Sequence, residues 1–200
     1  MLEWSIEAAK KSKYIDSIFL SSENKKILSI AKKQNVETIL RPKFLADDKA
    51  LTRDVLLDAL QQIKKKYDYL VLLQPTSPLR SNFDIDNSIE LLIRNKANAV
   101  VSVSKAQHSP LWSNTLPKSR LMDGFISQSL DGIRSQDLET YYHLNGAIYV
   151  VKISNFLKEG KLIPNNTFAY IMDQFNSIDI DTIYDFICAE ALMKNRLNRT

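Results

Sequence analysis

Apolar residues along this chain switch repeatedly between the helical and the extended period. Leu2, Ile6, Ala8 and Ala9 recur among lysines and predict an amphipathic helix over residues 2–13. A strand is predicted at 15–21, then a helix over 24–34 that buries Ile27, Leu28, Ile30 and Ala31. A second strand at 36–40 precedes a helix over 52–64 carrying Val55, Leu56, Ala59, Leu60 and Ile63 on one side. The unbroken run Tyr69-Leu70-Val71-Leu72-Leu73 reads as a central strand, followed by a helix near 84–94 and a continuous apolar strand at 99–103. Strands alternating with helices imply an α/β fold of Rossmann-like type, a mostly parallel, buried sheet flanked by helices.

The alternation breaks between Ser109 and His143, a stretch rich in Pro, Ser, Asp and Gly with scattered aromatics such as Trp112 and Phe125. Residues 109–143 are therefore expected to form an inserted lobe of loops and short strands within a single domain spanning 1–200. A strand returns at 147–152, and a short helix follows near 155–159. A closing helix over 182–195 is expected to pack back on the sheet.

Candidate chemistry gathers at the ends of these strands. Gln74-Pro75-Thr76-Ser77-Pro78-Leu79-Arg80 follows the central strand, where open α/β sheets bind ligands. A Gln amide both donates and accepts, which suits the edge of a nucleobase. Two prolines stiffen the loop, and Arg80 stands ready to answer an acidic partner or a phosphate. A rigid connection whose Gln satisfies backbone groups is the bland alternative. Asp179 and Asp181 flank Ile180, so an extended backbone would turn both carboxylates to one face, ready for a hard cation. Asp181 as the N-cap of the closing helix is the alternative there. Pro42 gives Arg41 a fixed base, Thr52 reads as a helix cap or a ligand hydroxyl, and Asn145-Gly146 reads by itself as a turn.

These segments resemble the N-acylneuraminate cytidylyltransferases, which make CMP-activated nine-carbon acidic sugars. Leu72-Leu73-Gln74-Pro75-Thr76-Ser77-Pro78-Leu79-Arg80 is similar to that family's signature. Ser21-Ser22-Glu23, Arg41-Pro42, Leu45-Ala46-Asp47-Asp48, Arg134-Ser135-Gln136-Asp137-Leu138, Asn145-Gly146-Ala147-Ile148-Tyr149 and Asp179-Ile180-Asp181 follow the family in order and approximate spacing. The resemblance runs from Leu2 to about Leu192. It implies a nucleotide-diphospho-sugar transferase type of fold and the transfer of CMP from CTP to a nonulosonic acid such as sialic, legionaminic or pseudaminic acid. It further implies Mg²⁺ on Asp179 and Asp181, the cytosine nucleotide against Arg41, Thr52 and Gln74, and the sugar near Arg134, Gln136 and Asn145. The inserted lobe is then a homodimer interface that approaches the neighbouring active site. The family often has a second Arg where Ser135 stands, and a Ser offers no bidentate pair for a sugar carboxylate.

Composition narrows the alternatives. At 44% hydrophobic and 25% charged the chain is ordinary globular protein rather than disordered. The net charge of +4 comes partly from clusters such as Lys64-Lys65-Lys66, which lack the aromatic interleaving of a nucleic-acid surface and suit anionic substrates. Cys188 is the only cysteine, so no intrachain disulfide forms, and its apolar neighbours predict a buried, inert thiol. With no apolar run of membrane-spanning length and no leader pattern, a cytoplasmic enzyme without membrane partner is expected. His108 and His143 lack companions at ligand spacing and receive no role.

The family opens on a strand and a basic loop of the type Pro-Ala-Arg-Gly-Gly-Ser-Lys that holds the triphosphate. The sequence begins inside what resembles the next helix, so a segment of roughly 30 residues is expected to be missing. Its loss would remove phosphate donors and a central strand, leaving ladder groups on both neighbours unpaired. A shortened gene product, a misplaced start codon and a trimmed chain all fit that expectation. The rival readings are an incomplete homologue acting as a binding or dimerising module, and a cytidylyltransferase for another acidic sugar such as 3-deoxy-octulosonic acid.

Overall fold

The computed structural model describes residues 1–47 and 49–198; Asp48 of the Leu45-Ala46-Asp47-Asp48 motif lies outside them. Three helices and two strands precede the central strand: α1 (Leu2–Lys11), β1 (Phe19–Ser22), α2 (Lys25–Lys33), β2 (Glu37–Leu40) and α3 (Thr52–Gln62). There follow β3 (Tyr69–Leu72), α4 (Asn82–Arg94), β4 (Ala99–Lys105), β5 (Tyr142–Lys152), α5 (Ile153–Glu159), β6 (Thr167–Ile171) and α6 (Ile183–Leu197). Asn24 caps α2 by accepting from the Lys26 N–H, and capping boxes open α4 (Ser81 with Asp84) and α6 (Thr182 with Asp185).

The strands form two sheets, β1-β2 and β3-β5-β4-β6. β1 pairs parallel with β2 and β4 parallel with β6, whereas β5 runs antiparallel to both β3 and β4. The expectation of a mostly parallel sheet is corrected at β5. It enters from the 109–143 segment at the opposite end of the sheet rather than through a crossover helix. β5 also begins at Tyr142, five residues before the predicted 147, and β6 is a strand that periodicity did not predict.

The four-stranded sheet carries the core. Ile85, Ile89 and Leu92 of α4 cover one face with Val100, Ile148 and Val150, while Leu56 of α3 and Phe156 of α5 cover the other with Ala99 and Val151. With both faces covered, adjacent residues bury in opposite directions, which is why β4 and the second half of β5 read as continuous apolar runs. Each fully buried side chain of this kind contributes about 1.5–3 kcal/mol. β3, equally apolar in sequence, is only half-buried, because it is hydrogen-bonded to a neighbour on one side alone.

The smaller sheet is joined to the larger one by α1 and by a contact at the feet of the strands. Ile6 of α1 packs with Ala31 and Val36 under β1-β2, and Ala8 joins the main core. Ser12 Oγ donates to Asp86 of α4 at 2.5 Å, and the Tyr67 hydroxyl donates to Ser17 Oγ at 2.6 Å. The Phe19 and Tyr67 rings meet edge to face. Around so small a sheet only Leu28 and Ala31 of α2 are buried; Ile27 and Ile30, expected in the core, stand more than a third exposed at 37% and 39%.

Two further expectations change. α6 does not bury its apolar side: Ala189 is its buried residue, while Ile183, Tyr184 and Ile187 are exposed, and so is Cys188. Its C-terminal turn is held instead by Arg196, which donates to the Leu79 carbonyl at 2.9 Å and to Asn176 Oδ1 at 2.6 Å. Residues 109–141 hold only short 3₁₀ turns among the described residues, without the short strands expected.

Two-stranded pairings are marginal without further cover. Native-state hydrogen exchange is expected to release the β1-β2 amides on the order of 100-fold or more faster than those of β4 and β5. Equal protection across both sheets would contradict this division.

Candidate active site

The loop after β3 is the meeting point of the molecule. Backbone bonds tie it on itself, Ser77 N–H to the Gln74 carbonyl at 3.2 Å, and to the segment before α6, Ile180 N–H to the Thr76 carbonyl at 2.9 Å. The second bond brings Asp179 alongside Gln74. β5 completes the arrangement through a large bulge. Between the pairs Val101↔Tyr149 and Val103↔Leu144, the single β4 residue Ser102 faces Asn145 to Ile148 of β5. Asn145-Gly146 is therefore a mid-strand bulge, not a hairpin turn.

Asn145 holds that bulge together. Its side chain is buried, with Oδ1 accepting from Ser102 Oγ at 2.6 Å and from the Ala147 N–H at 3.2 Å. Gly146 follows in the left-handed region at φ +71°, and a Cβ added there would lie 2.5 Å from Gln74 Oε1 and 3.2 Å from Asp179 Oδ2. Only glycine lets these two side chains approach the strand so closely. Gln74, Gly146 and Asp179 thus converge beyond the carboxyl end of β3.

The cluster contains an unmet carboxylate. Asp179 Oδ1 is buried with no hydrogen-bond partner among the described residues. Burial, and second the charge of Asp179, push the Tyr149 phenol above its ordinary range. Asp181 is exposed in a bend. It does not cap α6, since Thr182 occupies that position and accepts from the Asp185 N–H. Two carboxylates with one residue between them offer the kind of oxygen donors Mg²⁺ takes when phosphates and water complete its shell. An orphaned buried oxygen on one of them fits such an ion. No group of three His, Cys, Asp or Glu able to hold a metal occurs among the described residues.

The remaining candidates occupy different places. Arg41, just past β2, is half-buried and turned onto β1, donating from Nε to Ser21 Oγ at 3.2 Å and from Nη2 to the Ser21 carbonyl at 2.7 Å. Thr52 is exposed as the first residue of α3. Leu51 holds the N-cap position, so the hydroxyl is not spent on capping. Since α3 connects β2 to β3, its N-terminus lies towards the carboxyl ends of the strands. Arg134 and Gln136 stand exposed on the lobe and are not drawn into the cluster.

Arg80, expected to answer an acidic partner or a phosphate, is 2% exposed, and Nη1 donates to the Gln74 carbonyl at 3.2 Å and the Ala147 carbonyl at 2.9 Å. Burial draws its pKa down to about 10 against the opposing pull of Asp84, so it stays charged at neutral pH. Sequence reasoning missed Ser102 and Asp84. Asp84 Oδ2 accepts from the Ser81 N–H at 2.9 Å and Asn176 Nδ2 at 3.3 Å, and Oδ1 from the Tyr170 hydroxyl at 3.1 Å. An S-x-x-D spacing announces the cap, but nothing in the sequence announces the long-range partners.

Comparison with known proteins identifies the family. A family model described as cytidylyltransferase matches residues 1–173. The chain is 31% identical to the N-acylneuraminate cytidylyltransferase of Streptococcus agalactiae serotype V over 94% of its own length, but spans less than half, 45%, of that relative. It is 30% identical to post-translational flagellin modification protein B of Campylobacter coli, over 98% of this chain and 85% of that protein. Its fold is like that of a CMP:2-keto-3-deoxy-manno-octonic acid synthetase complexed with CTP, with TM-score 0.69, 11% identity, and coverage of 97% of this chain and 87% of that one. With the family model matched over most of its residues, the chain belongs to the cytidylyltransferase family.

Proposed function

We propose that this cytidylyltransferase joins CTP to a nonulosonic acid, of the sialic, legionaminic or pseudaminic class, giving a CMP-sugar and pyrophosphate. The observation that carries the reading is the convergence of Gln74, Gly146 and Asp179 at the carboxyl end of β3. The relatives named for acylneuraminate transfer support this substrate class.

In this reading the Gln74 carboxamide reads the cytosine edge, with Arg41 and Thr52 flanking the nucleotide. The sugar's anomeric oxygen bonds to the α-phosphorus and its proton passes to solvent, while the bond from the α-phosphorus to the bridging oxygen breaks in line and that oxygen leaves with pyrophosphate. Asp179 and Asp181 would hold Mg²⁺, which supplies charge neutralisation for the phosphates when bound. Positioning and electrostatics suffice for such a transfer, so no nucleophile is required of the protein. Asn145 acts on the sugar side by fixing the bulge. The lobe exposes Leu116, Leu121, Met122 and Ile126; in this reading a second copy covers that face, and Arg134 and Gln136 reach the sugar of the neighbouring subunit.

Asp179→Asn is expected to lower pyrophosphate release from CTP by about 100-fold or more, with the fold intact by circular dichroism. Full activity at ordinary Mg²⁺ would remove Asp179 from the metal site. Gly146→Ala places a side chain at positive φ, costing about 1–2 kcal/mol of stability in denaturant titration. It also displaces Gln74, so CTP affinity in calorimetry falls further than the stability loss accounts for. Leu121→Asp with Met122→Asp is expected to convert a dimer to a monomer in analytical ultracentrifugation; an unchanged mass would place the interface elsewhere.

A further inference from the structure

Arg80 occupies an unusual position for a charged residue. It lies beneath the loop that bears Gln74, and one nitrogen, Nη1, bonds the carbonyls of Gln74 and Ala147. Those two residues lie on either side of the contact between the Gln74 side chain and Gly146. Pro75 and Pro78 carry no N–H, so the loop is poor in donors that could fix it from within. The guanidinium supplies them from below. Its Nε and Nη2 are buried without partners among the described residues, and the Ser77 hydroxyl beside the loop is likewise unmet. A buried cation with donors unused is poor value for stability, since apolar replacements of buried charges are often neutral or stabilising. Its placement is better explained by geometry: Nη1 carries two N–H donors and directs them to a carbonyl of the loop after β3 and a carbonyl of the β5 bulge, joining the two.

We propose that Arg80 is the positioning residue of this site, a clamp between β3 and the β5 bulge that sets the Gln74 carboxamide against Gly146 and Asp179. The proposal rests on the reading of Gln74 as the nucleotide contact, and its effect is transmitted through Gln74 alone. Arg80 itself does not reach a ligand.

The test is a double-mutant cycle on the whole chain with Arg80→Met, Gln74→Ala and both together. CTP binding with Mg²⁺ is read by calorimetry, and amide exchange is read at residues 74–77 and 145–148. Arg80→Met is expected to weaken CTP by about 10- to 100-fold, as a misplaced contact does, and the double variant to bind no worse than Gln74→Ala. Exchange rises at those two segments while β4 and β6 stay protected. Additive losses, or exchange rising evenly through the sheet, would overturn the clamp. If Gln74→Ala binds CTP like the unaltered protein, the nucleotide reading fails, and the exchange pattern alone judges the clamp. Should Arg80→Met not fold, Arg80→Lys takes its place: local loosening at 74–77 and 145–148 is expected, and unchanged exchange there refutes the proposal.

Discussion

One close approach organises this protein: the Gln74 carboxamide lies against the bare backbone of Gly146. A distance of 2.5 Å to where a Cβ would stand leaves no room for any other residue. The approach requires a bulge in β5, and the bulge requires Asn145 and Ser102 to bond the backbone that has left the ladder. It also requires the Gln74 loop to be held from below by Arg80 and from the side by Ile180. Buried polar groups are costly unless paired, so a network of this density specifies one arrangement rather than many.

The same network explains why the site sits at the strongest part of the fold. β4 and β5 are covered on both faces by α3, α4 and α5, and the bulge lies where those two strands meet. Sites built on rigid elements hold their geometry better than sites on free loops. Rigidity falls away in two directions. The β1-β2 pair, which carries Arg41, depends on α1 and the Ser17–Tyr67 contact for its attachment. Residues 109–141 lack a core of their own and carry Arg134 and Gln136 on an exposed surface. Under the proposed function, Gln74 meets the nucleotide at the rigid end, while Arg41 and the sugar contacts Arg134 and Gln136 lie at the yielding ones.

Most helices and strands were legible in the sequence because apolar periodicity is local. The run Leu70 to Leu73, the body of α4 and the apolar stretch of β4 follow from local periodicity and burial. The place of the Gln74 loop beyond the end of β3 was also legible, since an apolar run followed by two prolines announces a strand that ends in a turn. The direction of β5 was not, because one strand's pattern is indifferent to whether its partner runs parallel. Nor was the exposure of Cys188 and Ile187, which depends on which surface α6 meets.

The sequence by itself determined the α/β class, the strand that ends in the Gln74 loop and the family to which the chain belongs, all of which reside in residue order and periodicity. Only the tertiary structure decided that Gly146 and Asp179 meet at Gln74, that Asn145 braces a bulge, and that Arg80 faces inward. The physical reason is distance along the chain. Residues 74, 146 and 179 are brought together by strand pairing and by one backbone bond from Ile180 to Thr76, and long-range hydrogen bonds leave no local signature to be read.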